Sequence, residues 1–597
     1  MPKIEDYFKI SVSHSGFMAD ENTLIYISDE SGINQIYKKL LSTGQVVQLT
    51  FLKDRVWQIS PEMAGRTAFF SSDVGGNEQV QIFSIDIDSG ENHNLTNNPA
   101  ARFAFGGVLP GNEYIVASSN ARNPANYDLV KINIANGKTE ILLENQDNYN
   151  IPAALSPDGR YLLYNKMNGI SENYLWMLDF ESCLTHRIHP EGSFAQYKNP
   201  CWTPDSKGFF LITDWDDDFC YVAHYDLDTH TLSRFYEPDW DASGLALSDD
   251  GRYLAVNVNE DGYFCLKVFD LHLGGEVNTP KPPQGVIPSF YGFNFSGPGH
   301  RLIFPLMSVK RPGNVWMLDI DNDALCCLTP TLWAGLSPDM LIEPELHRFS
   351  SFDGLSVPYW LYRKPGTEAG APVVFDIHGG PEGQEWPTYE PLLAYLINEG
   401  FTIVAPNVRG STGYGKRYHH LDDKEKRLDS IADVAALAEH LVKTGIAQPS
   451  KMGIMGASYG GFMTLSGITE YPKLFSAAVD TVGMSNLETF LENTAEYRRA
   501  HRESEYGNLA NDREILRRVS PIHKADRIIT PLMVVHGAND PRVPLSEAEQ
   551  IVGSLKSRGI AVKFLCYPDE GHGLAKLENR LDCYPQVAAF LKEHLMS

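Results

Sequence analysis

Residues 451–463 read KMGIMGASYGGFM, and residues 460–472 continue as GGFMTLSGITEYP. The first stretch is apolar and short, as a buried strand is. The second carries its apolar residues at helical spacing. Between them lies Gly456-Ala457-Ser458-Tyr459-Gly460, a G-x-S-x-G. Small residues on both sides let a chain turn sharply from strand to helix and present the serine hydroxyl bare at the helix N-terminus. The pentapeptide alone is common. In a strand–turn–helix context it marks Ser458 as a candidate nucleophile.

A serine needs a base, and the base needs an orienting carboxylate. Downstream, VVHGAND ends a predicted strand on Asp540, and YPDEGHG ends the next on His572. The order Ser458, Asp540, His572 is that of the α/β-hydrolase fold. His536 competes as base, but it lies within an apolar strand and precedes the aspartate. Asp569 and Glu570 stand too close in sequence to His572 to reach it from another strand, and read as a solvated loop. An oxyanion needs donors already in place. The backbone N–H of Tyr459 supplies one. Glycines of His378-Gly379-Gly380-Pro381, which follow the strand VVFDI, supply the other, with Gly380 preferred and Gly379 beside it. His378 reads as a brace for that loop. Residues 410–416, GSTGYGK, imitate a phosphate loop, yet Arg417 stands where a magnesium site needs Ser or Thr.

Around these motifs, short apolar strands alternate with amphipathic stretches from about residue 371 onward. That alternation predicts a mostly parallel sheet with helices on both faces and functional residues at the strands' carboxyl ends.

The first half has a different period. A unit of polar turn, apolar strand, second turn and strand ending in aspartate recurs, most clearly as SPDGRYLLY from Ser156 and SDDGRYLAV from Ser248. Taking its turn at Asp20, Ala64, Gly111, Asp158, Asp205, Asp250 and Pro298, the gaps are 44, 47, 47, 47, 45 and 48 residues. That is the length of a four-stranded propeller blade, and seven copies predict seven blades. The aspartates at 86–88 and 214–218 read as solvated turns, because neither run has a full calcium-loop pattern. The expected organisation is an N-terminal extension over 1–18, a seven-bladed β-propeller over 19–330, a linker over 331–350 and an α/β-hydrolase domain over 351–597.

Composition narrows the partners. Fifty basic against 76 acidic residues give a net charge of −26, which opposes binding to nucleic acid or an anionic membrane surface. Eight cysteines without a C-x-x-C pair or zinc spacing read as free thiols in a reducing compartment, with no metal or other cofactor. The N-terminus shows no secretory pattern and no stretch is long enough to span a membrane, so a cytoplasmic location is expected.

Together HGGP at 378–381, PNVRGSTGYGK at 406–416, GASYGGFM at 456–463, HGANDPRVP at 536–544 and DEGHG at 569–573 resemble the prolyl oligopeptidase family of serine peptidases. The likeness is greatest to its acylaminoacyl-peptidase branch. The resemblance implies a triad of Ser458, Asp540 and His572, an oxyanion hole of Tyr459 and the HGGP glycines, and Arg542 as the arginine that holds a substrate carbonyl. It implies cleavage of short, N-acylated or oligopeptide substrates through an acyl-enzyme. Two alternatives stay open: an esterase or amidase of small metabolites, and a dipeptidyl peptidase. The latter branch anchors a free amine on a glutamate pair, for which Glu237 and the acidic run around Asp216 are poor substitutes. Free edge strands could pair between copies into a homo-oligomer.

Overall fold

The computed structural model describes residues 2–146, 149–167, 169, 172–189, 192 and 194–596. The chain divides into two compact units: one formed by Met1–Ile10, Gly75–Asn77 and Trp333–Ser597, the other by Ser11–Val74 and Glu78–Leu332.

The second unit is a seven-bladed propeller of consecutive antiparallel sheets. Six have four strands in simple order and the sixth has three. Each of the seven turns read from the sequence lies in the first hairpin of one sheet, for example Asp158 between strands Asn150–Leu155 and Tyr161–Met167. The repeated residues have local reasons. In SPDGR the Ser156 hydroxyl bonds Asp158 and accepts the Tyr161 amide at 2.8 Å. Ser248 does the same for Asp250 and, at 2.9 Å, for Tyr253. The arginine after the glycine pairs with the aspartate ending the third strand: Arg160 with Asp179 and Arg252 with Asp270, both at 3.0 Å. Asp88 and Asp217, within the acidic runs, pair with Arg66 and Arg234.

Alternation along each strand sends neighbours into different interfaces. Leu162 packs with Val116 and Leu129 of the preceding sheet, and Leu163 with Phe209 and Leu211 of the following one. The ring closes because Met18, Leu24 and Tyr26 of the first sheet share a core with Ile303 and Val315 of the seventh. Met18 N also donates to Ser296 Oγ at 2.9 Å.

The other unit is built on one eight-stranded sheet. Its strands are β1 (Glu345–Ser350), β2 (Ser356–Tyr362), β3 (Val373–Ile377), β4 (Thr402–Pro406), β5 (Met452–Ala457), β6 (Ala477–Thr481), β7 (Leu532–Gly537) and β8 (Val562–Tyr567). They lie in the order β1-β2-β4-β3-β5-β6-β7-β8. The pairs from β4 through β8 are parallel, and β1 and β2 are antiparallel additions. This is the α/β-hydrolase arrangement. Helices such as Arg427–Lys443 and Tyr459–Glu470 bury Leu437, Leu441, Phe462 and Leu465 in its core. Within the same unit Tyr7 accepts a hydrogen bond from Tyr389 at 2.8 Å through its carbonyl, and Phe8 stacks on Tyr584.

Two strands lie inside segments expected to be connections. Ser13–Met18 already forms the first strand of the first propeller sheet, and β1 lies within the expected linker. Both carry polar residues such as Ser13, His14, His347 and Arg348, which weaken the apolar signal a strand is read from.

Candidate active site

Ser458 follows β5 directly and precedes the helix Tyr459–Glu470, with φ 59° and ψ −116°. A positive φ is costly for a serine, on the order of 1–3 kcal/mol, and persists only where the surroundings fix it. Here the Ser458 amide donates to Thr481 O at 2.9 Å and its carbonyl accepts from Phe462 N at 3.0 Å. The second glycine of the motif is forced by space: a Cβ on Gly460 would lie 2.0 Å from Ile377 O. Tyr459 N–H comes first in the helix, one of the amides a helix leaves without an internal partner.

The HGGP loop leaves β3, the strand beside β5. It reaches Ser458 closely enough that a Cβ on Gly379 would stand 3.5 Å from Ser458 Cβ. His378 Nδ1 lies 2.8 Å from Gly379 O, and Nε2 lies 2.9 Å from Ser411 Oγ. A carbonyl only accepts, so Nδ1 carries the proton, and burial lowers the pKa of the ring and keeps it neutral. With the Gly379 carbonyl held, the opposite edge of that peptide plane, Gly380 N–H, points the other way.

Asp540 lies past β7, and its side chain has no exposed surface. Its Oδ1 accepts the amides of Arg542 at 2.8 Å and Val543 at 3.0 Å, and Oδ2 lies 2.7 Å from His572 Nδ1. His536 approaches the same oxygen at 3.9 Å, but its ring is sealed. Its Nε2 donates to Val543 O at 3.0 Å and burial lowers its pKa. His572, by contrast, is partly open to solvent, on the loop after β8. Ser458, Asp540 and His572 thus follow β5, β7 and β8 at their carboxyl ends. Ser458 Oγ and His572 share no hydrogen bond among the described contacts.

Other residues, several of them named from the sequence, take the following places. Glu570 is buried, not solvated: it accepts the amides of Ala575 at 3.0 Å and Lys576 at 2.9 Å and so fixes the loop bearing His572. Asp569 pairs with Lys576 at 2.6 Å. Asn539 donates to Gly75 O at 2.9 Å within the same unit. Arg542 is tied through its backbone, its carbonyl accepting from Thr494 Oγ1 at 2.9 Å. In the propeller Glu237 pairs with Arg234 at 2.8 Å. Met484, Leu487, Phe490 and Leu491 are core. Among the described residues no group of three or more His, Cys, Asp or Glu is arranged to hold a metal, and no helix is long and apolar enough to cross a membrane.

The fold and this strand-end arrangement define the chain as a serine hydrolase of α/β-hydrolase type joined to a seven-bladed propeller. A sequence model of the prolyl oligopeptidase family matches residues 387–597. Dipeptidyl peptidase family member 6 of Caenorhabditis elegans is 36% identical over 626 residues, spanning 95% of this chain and 82% of its own. Dipeptidyl aminopeptidase BIII of Pseudoxanthomonas mexicana is 27% identical over 578 residues, 91% and 80% of the two chains. Acylamino-acid-releasing enzyme 1 of Oryza sativa subsp. japonica matches over 41% of this chain and 33% of its own at 27% identity. Among solved structures, a puromycin-hydrolyzing peptidase of Mycobacterium tuberculosis superposes with a TM-score of 0.86 over 100% of this chain and 96% of that one, at 21% identity. The chain belongs to the prolyl oligopeptidase family and is a serine peptidase.

Proposed function

We propose that the chain hydrolyses short peptides, N-acylated or oligopeptide substrates, through an acyl-enzyme on Ser458. Ser458 Oγ attacks the scissile carbonyl while His572 Nε2 takes its proton. Asp540 holds Nδ1–H and stabilises the imidazolium that forms. The tetrahedral oxyanion is held by the N–H groups of Tyr459 and Gly380, with Gly379 lending close approach. Collapse breaks the C–N bond as His572 returns the proton to the leaving amine. Water then repeats the sequence on the ester. Arg542 would hold a substrate carbonyl. The observation that carries this reading is the 2.7 Å contact of Asp540 Oδ2 with His572 Nδ1, on a carboxylate whose other oxygen is fixed by two amides. The reading includes a cytoplasmic location, in keeping with eight free cysteines.

A second reading, dipeptidyl release, is favoured by two relatives that match more than nine-tenths of this chain, one named a dipeptidyl peptidase and the other a dipeptidyl aminopeptidase. A mass-spectrometric panel separates the two. Matched short peptides with acetylated and free N-termini are offered beside aryl esters and amides, with Ser458→Ala as the blank. Acetyl-amino acids released from blocked peptides alone are the outcome the first reading expects. Dipeptides from free N-termini would establish the second. Turnover of esters and amides with every peptide untouched would move the enzyme to small metabolites.

A further inference from the structure

The two donors of the proposed oxyanion hole come from segments far apart in sequence, so their separation has to be fixed by something else. A buried chain of charged side chains runs from one to the other. At the HGGP end, Gly380 O lies 3.5 Å from Arg502 Nη1, and the same nitrogen meets Glu382 Oε2 at 3.2 Å. One helical turn on, Glu505 stands 3.7 Å from Arg502 and 2.8 Å from Arg427 Nη2. Arg427 pairs with Asp422, and Asp422 Oδ2 accepts from the Tyr459 hydroxyl at 3.0 Å. Ser430 Oγ, 2.9 Å away, and Arg427 Nη1, 3.3 Å away, complete the grip on that hydroxyl.

The carboxyls of this chain are shifted in opposite directions. Burial raises Glu382 most strongly, but Arg502, a hydrogen bond with Glu505 and the nearby His419 together hold the carboxyl down at about 2. Burial and the neighbouring Glu382 push Glu505 far up. Burial raises Asp422 to about 6, against the pull of Arg427.

We propose that Arg502 and Glu505 are positioning residues that, through Glu382, Arg427 and Asp422, lock the Gly380 arm and the Tyr459 arm of the oxyanion hole into one rigid unit. The proposal rests on the reading that Ser458 is the nucleophile. Buried ion pairs of this kind add little net stability. This chain, however, ends at both extremities on the two donor-bearing segments. His378 holds the Gly379 carbonyl and Arg502 approaches the Gly380 carbonyl, so the peptide planes on both sides of Gly380 Cα are fixed. Donors must sit about 2.7–3.1 Å from the oxyanion, and a displacement of about 1 Å can cost about a hundredfold in rate.

The test is a double-mutant cycle on hydrolysis of p-nitrophenyl acetate by the full chain, with Arg502→Gln, Tyr459→Phe and both together. Tyr459→Phe removes the hydroxyl and keeps the backbone donor. Each single variant is expected to lower kcat about tenfold or more with KM within about threefold, because the oxyanion exists only in the transition state. The double variant is expected to lose no more than about the worse single one, since cutting either end frees the same unit. Arg502→Lys, which keeps the charge on a partly exposed side chain, is expected to fold and to restore most of kcat. Losses that multiply, an unchanged kcat, or a change confined to KM would overturn the proposal. A wild-type chain that neither hydrolyses the ester nor takes a fluorophosphonate on Ser458 would instead remove the reading beneath it.

Discussion

Asp540 meets two imidazoles, which differ in burial. His536 is sealed and donates to Val543 O, whereas His572 is partly open. Asp540→Asn is therefore expected to leave the fold intact, because its Oδ1 still accepts the Arg542 and Val543 amides. It should lower kcat by about 10³–10⁴ through loss of the Nδ1 acceptor, read by steady-state kinetics beside thermal unfolding. His536→Gln should stay within about tenfold of wild type in the same assay. Ser458, Asp540 and His572 were legible because glycines and strand ends flag them. Arg502, Glu505 and Glu382 were not. A basic and an acidic residue three apart in a polar helix look like a solvated face, and burial of that face depends on loops distant in sequence. Glu570 was misread because a carboxylate in an irregular loop looks solvated until the amides of Ala575 and Lys576 are seen to hold it.

At the scale of elements, the turn after β5 works only if backbone can touch backbone. Gly460→Ala would place a methyl 2.0 Å from Ile377 O, and is expected to cost about 3 kcal/mol or more in urea unfolding. β6 carries a second constraint. Asp480 is fully buried against Gly461 and Gly483, and burial pushes its carboxyl up from 3.8 to about 7, partly offset by the Gly483 amide. The folded state thus holds this proton more tightly than the unfolded chain. Its contribution is fully favourable below about pH 4 and is lost as pH rises towards 7, by about 4 kcal/mol. Asp480→Asn lacks this slope. Its stability relative to wild type should grow between pH 4 and 7 and level off above, measured as urea midpoints across that range. A constant difference would show that Asp480 is ionised in the fold.

For the molecule as a whole, the 44–48-residue period was enough to count the blades, since every repeat sets its own turn, fixed in two of them by an Arg–Asp pair. Boundaries were harder. Ser13–Met18 pairs with Thr23–Ser28 in the first sheet and closes the ring on partners nearly 300 residues away, which no local pattern records. The closure is tight at Gly16, where a Cβ would meet Val315 Cγ1 at 2.5 Å. Gly16→Val should destabilise the propeller by about 2 kcal/mol in denaturant titration.

The central claim, acyl transfer through Ser458 driven by His572, is tested most directly by fluorophosphonate labelling followed by intact-mass and peptide mapping. One adduct per chain, on Ser458, absent in Ser458→Ala and slowed about a thousandfold in His572→Ala, is the predicted result. A chain that still cleaves peptides while Ser458 stays unlabelled, or one labelled equally fast without His572, would contradict it.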